Sequence, residues 1–149
     1  MRAVLTLLVA ALAAAGYADE GTALERLSII VSELELMGDV MVGEPVSGTL
    51  STGDTSSLEI NLDESFMYNI YIWSDSYFNV FEFWTEGPLG ETDSETEGDN
   101  ASIAIFPDTT ATWRLRIRLI EGAYSDSASY AAALFRVPRL TSSVYRTED

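Results

Sequence analysis

The chain contains no cysteine, no histidine and no lysine. The first absence excludes disulfides and thiolate nucleophiles, so an exported domain of this sequence must stand on its apolar core or on a metal. Together the first two remove the ordinary zinc site and the histidine-based catalytic triad. Without lysine there is no Ser–Lys dyad and no Schiff base. The remaining acid–base groups are carboxylates, which in pairs can hydrolyse glycosides or peptides. Such a pair needs a preorganised, partly dry site. Here the acids fall mainly in turns and on polar strand faces, so the chain reads as a non-enzyme.

Positive charge is also scarce. Eight Lys and Arg, all of them Arg, face 24 Asp and Glu, for a formal net charge of −16. A surface of this sign repels nucleic acid and anionic membranes. It suits a cation, a cationic partner or a salty medium.

Long apolar runs are confined to the amino terminus. Ala3 to Ala15 is apolar apart from Thr6 and follows a single Arg2. That run is too short for the roughly 20 residues a membrane helix needs. Gly16-Tyr17-Ala18 then places small residues at the two positions a signal peptidase inspects. Residues 1–18 therefore read as a cleaved signal peptide, which sends the chain to the periplasm or beyond the cell and leaves no membrane span. The rest divides into a helical segment (19–42), a β domain (43–138) and a polar tail (139–149).

The predicted helix covers residues 22–37. Thr22 and Glu25 have capping-box spacing, and Leu24, Leu27, Val31 and Leu34 form one apolar stripe. Gly38 can take the left-handed position that ends a helix. Leu27 to Ser32 is β-prone as well. As a helix, the segment is expected to cover one end or edge of the β domain.

From Glu44 the texture changes to short β runs broken by turn residues. Predicted strands span 46–50, 58–62, 66–73, 78–84, 101–106, 113–120 and 129–137. Trp113, Leu115, Ile117 and Leu119 alternate with Arg114, Arg116 and Arg118, the period of a half-buried strand. Residues 66–84 form an aromatic-rich hairpin turning at Ser74-Asp75-Ser76, its rings either core, covered, or free to stack on sugars. Residues 85–100 read as an acidic loop. With no helices alternating between strands, the expectation is an all-β, jelly-roll-like sandwich of seven to eight strands with one N-terminal helix.

Two clusters carry candidate chemistry. Asp93, Glu95, Glu97 and Asp99 alternate in a Gly-containing stretch, which is how calcium loops gather oxygen ligands. The twelfth position of an EF-hand would be Ala104, so the pattern is not that one, and a solvated acidic loop is the alternative. Arg114, Arg116 and Arg118 form a guanidinium row that can grip carboxylates or sulfates of a partner, or pair with acids on neighbouring strands.

Gly48-Thr-Leu-Ser-Thr-Gly-Asp54, followed by Leu62-Asp-Glu-Ser65 and Tyr68-Asn-Ile-Tyr-Ile72, resembles the opening of the bacterial pre-peptidase C-terminal domain. Phe78 to Phe83, Asp99-Asn-Ala-Ser-Ile103, Thr112 to Ile117 and Ser129 to Leu134 resemble its later strands in order. The chain departs from the family at Ser56-Ser57-Leu58, where an aromatic pair is usual, and around Asn79, where the family strand carries Asp. The resemblance implies a jelly-roll-like sandwich acting as a non-catalytic binding or secretion-associated module, with calcium as its possible metal and an extracellular polysaccharide or protein as its partner. A structural component of the cell envelope and a minimal carboxylate hydrolase are the alternatives.

Overall fold

A computed structural model describes residues 18–138 of the chain, with the side chains of 18–137. The predicted signal peptide apart from Ala18, and the predicted polar tail, lie outside the described residues.

Helix α1 (Glu20–Leu36) is followed by strands β1 (Val40–Met41), β2 (Val46–Ser51), β3 (Thr55–Leu62), β4 (Phe66–Ser74), β5 (Val80–Glu86), β6 (Thr92–Gly98), β7 (Asn100–Ile105), β8 (Ala111–Glu121) and β9 (Ser127–Pro138). One sheet has the order β2-β9-β4-β7, with the short β1 sharing β9's outer edge with β2. The other has the order β3-β8-β5-β6. All pairings are antiparallel. From β2 onward the partners are nested: β2 with β9, β3 with β8, β4 with β7, β5 with β6. The chain is thus one long hairpin wound into two facing sheets, which is the jelly roll. The all-β sandwich with one helix is what the sequence pattern predicts; the strands number nine among the described residues.

Period-two alternation aims one face of each strand inward. Ile70, Ile72, Phe81, Phe83, Ile103, Ile105, Leu115, Ile117 and Leu119 are buried between the sheets. A second, smaller core lies outside the first sheet. There Ala23, Leu27 and Leu34 of α1 pack on Ala131, Ala133 and Phe135 of β9, with Tyr71 and Trp73 partly buried beside them. The small alanines of β9 let the helix come close. The helix therefore covers a face of the sheet rather than an end or edge, because both sides of β4 and β9 are apolar and the outer side needs a lid.

The cap also differs from the expectation. Asp19 is the N-cap, accepting from the Gly21 N–H at 2.9 Å. The Thr22 hydroxyl donates to the same carboxylate at 2.8 Å. An Asp at the position before the helix competes well for its free N–H groups, so Thr22 falls inside the first turn. Gly38 takes φ +94° past the helix end, as expected.

The aromatic run at 66–84 is not a hairpin. β4 and β5 lie in different sheets, joined by an arch over residues 75–79. Asn79, which is buried, holds the arch: its Nδ2 donates to Asp75 Oδ1 at 2.5 Å, and its Oδ1 accepts from the Ala123 N–H at 2.8 Å. Local turn residues read as a hairpin, but buried pairing with β9 and β8 sends the two strands apart.

Candidate functional site

The Arg114, Arg116 and Arg118 side chains project from the outer face of the second sheet. Each meets an acid on a neighbouring strand. Arg118 Nη2 lies 2.8 Å from Glu82 Oε2, Arg116 Nε lies 2.5 Å from Glu86 Oε1, and Arg114 Nη2 lies 3.6 Å from Glu59 Oε1. The row is thus bordered by carboxylates on β3 and β5. On β6, Glu97 and Glu95 stand opposite Glu82 and Trp84 and extend the acid border. Pairs of this kind stabilise a sheet by about 0.2–1 kcal/mol each. With acids outnumbering arginines on this face, an anionic polymer would meet net repulsion.

The acidic stretch is a strand where the sequence suggested a loop. Residues Thr92–Gly98 pair with β5 as β6, the edge of the second sheet. Thr96 and Ser94 turn toward the interior side, which is enough polar-tolerant edge for pairing, while the acids face solvent. Asp93 and Asp99 stand at opposite ends of this extended segment, about 20 Å apart at strand rise. Asp99 is engaged elsewhere, 3.2 Å from Arg26 Nη2. Asp93, Glu95, Glu97 and Asp99 therefore do not converge. Among the described residues no group of three or more acids is placed to hold a metal ion. Charge on an edge strand has a further use, since it discourages pairing with another chain.

Of the aromatic residues, Tyr71 and Trp73 lie under α1, and Tyr68, Phe81 and Phe83 belong to the main core. Trp84 is half-buried on the Arg–Glu face. Tyr77 is exposed in the arch, where the Arg26 guanidinium sits 3.8 Å from its ring centre.

Several recesses open among the described residues, one of about 380 Å³ lined by Asn61 to Asp63 and Thr110 to Thr112. A narrow one of about 170 Å³ opens between the sheets at the β2/β3 side, with apolar walls from Val42, Leu58, Ile60 and Leu134 and Glu44 among its lining residues. A larger cleft, of about 430 Å³, opens at one end of the sandwich. The turn between β5 and β6 contributes Leu89 and Glu91, the start of β6 contributes Asp93, and the connection from β7 to β8 contributes Phe106 and Asp108. Trp113, at the start of β8, also lines it. Leu89 and Phe106 are 93% and 60% exposed, whereas Trp113 is only 7% exposed. The Trp113 indole N–H has no hydrogen-bond partner among the described residues.

No family model matches the chain, and no curated protein matches it. Solved structures do resemble it at low identity. A de novo designed double-stranded β-helix is 15% identical with a TM-score of 0.42, covering 62% of this chain and 99% of its own. A periplasmic inhibitor of g-type lysozyme from Aeromonas hydrophila is 12% identical with a TM-score of 0.46, covering 68% of this chain and 90% of its own. RmlC from Streptococcus suis is 13% identical with a TM-score of 0.38, covering 69% of this chain and 47% of its own.

Sequence reasoning did not single out the end cleft. Its residues come from three separate segments, each unremarkable alone. The one local signal is Phe106-Pro107-Asp108, an exposed aromatic beside a strand stop, and Trp113 reads from the sequence as ordinary core.

Proposed function

We propose that the chain is an exported, non-catalytic binding or accessory module of the periplasm or extracellular space, similar in kind to the pre-peptidase C-terminal domains. The observation that carries this reading is the absence of carboxylates from the core between the sheets. The interior between the sheets is filled mainly by Leu, Ile and aromatic side chains, while the acids, the one class of acid–base group the chain has in number, stand on outer faces, at loop ends and on the open rim of the end cleft, where Glu91, Asp93 and Asp108 are exposed to solvent. Hydrolysis by a carboxylate pair needs both acids in a shielded cleft, whereas binding needs only surface and a recess. No helix among the described residues is long and apolar enough to cross a membrane.

Export is supported by the signal-like amino terminus. The Asp19 N–H donates to Asp75 Oδ2 at 2.7 Å. Cleavage after Ala18 would turn that amide into an ammonium group beside the same carboxylate, a stronger charge-assisted bond. Amino-terminal sequencing of the mature protein is expected to begin at Asp19; a start elsewhere would overturn this part of the reading.

The binding role is tested by pull-down with residues 19–149 against a broad panel of polysaccharides and envelope proteins, alongside assays on chromogenic glycosides and peptides. Specific recovery without turnover is the expected result. Recovery of nothing across the panel, or turnover abolished by replacing one acid, would overturn it.

A further inference from the structure

We infer that the end cleft between the β5–β6 turn and the β7–β8 connection is a binding site for a neutral sugar ring. The inference rests on the binding-module reading and gives it a location and a ligand class. Three observations meet in one place. The recess, at about 430 Å³, lies in the size range of small-ligand sites and accommodates one or two sugar rings. Its wall offers apolar surface that solvent now touches, Leu89 and Phe106, of the kind sugar C–H faces pack against. Its residues offer polar groups of both kinds: the Asp93 and Asp108 carboxylates accept hydrogen bonds, and Trp113, which also lines the cleft, carries a shielded indole N–H that lacks an acceptor among the described residues.

The last point selects the ligand. Buried indole N–H groups usually find an acceptor, and one left without it is costly. A cationic ligand would satisfy the carboxylates and do nothing for this donor, since an ammonium group has no lone pair to offer. An anionic ligand would satisfy the donor and be repelled by the acids. A hydroxyl both donates and accepts, so a polyhydroxylated neutral ring answers both demands. The N–H is itself shielded from solvent. A hydroxyl therefore reaches it only when the cleft wall beside Trp113 opens on binding.

Glu91 belongs to the cleft's frame. Its Oε2 accepts from the Leu89 N–H at 2.9 Å, and its backbone carbonyl accepts from the Gly87 N–H at 2.8 Å. These bonds shape the β5–β6 turn and hold Leu89 at the rim.

The test is a titration of the isotopically labelled mature chain, followed by nuclear magnetic resonance. The probes are cellobiose, maltose and N,N′-diacetylchitobiose, with tetramethylammonium chloride as the cationic control. The expected result is a downfield shift of the Trp113 indole resonance with at least one disaccharide, together with shifts at residues 88–93 and 106–109. Asp108→Asn and Phe106→Ala, both at exposed positions, are each expected to weaken that disaccharide's binding by about tenfold while leaving the spectrum folded. Tyr77→Ala, at the opposite end, should leave binding unchanged. The assignment is overturned if Trp113 responds to none of the disaccharides, if neither cleft variant weakens binding, or if tetramethylammonium alone moves the cleft residues. Disaccharide shifts confined to another surface would overturn the cleft and leave the binding-module reading standing; loss of that reading requires the empty pull-down panel described above.

Discussion

Arg26, Asn79 and Asp63 each tie down a piece of chain that has no regular structure of its own. Arg26 reaches from α1 to the arch, donating from Nη1 to the Ser74 carbonyl at 2.7 Å and from Nη2 to Asp99 at 3.2 Å. Asn79 joins the arch to the β8–β9 loop. Asn79→Ala would leave the Ala123 N–H and one Asp75 oxygen without their partner, and is expected to lower unfolding free energy by about 1–3 kcal/mol in chemical denaturation. Asn79→Asp should be no better, since it sets a second carboxylate against Asp75. Asp63 is a surface turn residue. The Ser65 backbone N–H donates to its Oδ1 at 2.8 Å, and with the Ser65 hydroxyl this holds the carboxyl below its ordinary value of 3.8. Because the folded-state value is depressed, the turn's contribution to stability is present above the ordinary value and fades as pH falls through the lower one. A resonance titration of the Asp63 carboxyl should show its midpoint below 3.8; a midpoint at or above it would refute the bond.

At the scale of elements, two contacts decide how the layers fit. α1 docks through Leu27, which is buried against β9. Leu27→Ala is expected to cost about 2–5 kcal/mol. Its signature would be a red shift of tryptophan emission, because loosening the helix wets Trp73. The β2–β9 pair has a different constraint. Tyr130 crosses β2 at Gly48 and donates to Ser56 Oγ at 2.9 Å, linking the two sheets. A Cβ at Gly48 would lie 2.6 Å from Tyr130 Oη and 2.8 Å from Cζ. Gly48→Ala should therefore destabilise by about 1–3 kcal/mol through overpacking. Combining it with Tyr130→Leu, which removes the obstructing ring, should cost less than the two singles added together. Simple additivity would show that the clash is absorbed elsewhere.

The whole molecule carries a formal charge of −16, and the acids among the described residues are all exposed or half-buried. Self-repulsion of this kind is long-ranged at low salt and screened within about 10 Å at 0.1 M. Thermal melting should therefore rise with ionic strength. Sodium and calcium chloride at matched ionic strength are expected to raise it equally, since the β6 acids are strung along an edge and do not gather. A calcium-specific rise would mean that these acids, or others, come together around the ion, because a ligand bound only by the folded state stabilises it in proportion to the logarithm of its excess over Kd.

The all-β class, the positions of seven of the nine described strands and the helix were legible in the sequence, because alternation is local and a side chain's face follows from its number along the strand. The inward row Trp113, Leu115, Ile117, Leu119 and the Arg row opposite it are the clearest case. The same locality is why β6 escaped notice: a stretch of Thr, Asp, Ser and Glu has weak strand propensity, and it becomes a strand through pairing with β5. The separation of β4 from β5 was likewise decided by long-range partners. So was the end cleft, whose walls come from the 87–91 turn, the 106–110 connection and the start of β8. Composition alone determined which chemistries the chain lacks, since a missing residue type is missing in every fold. Which of the remaining groups stand close enough to act together is a matter of distances across the sheets, and only the tertiary structure decided those.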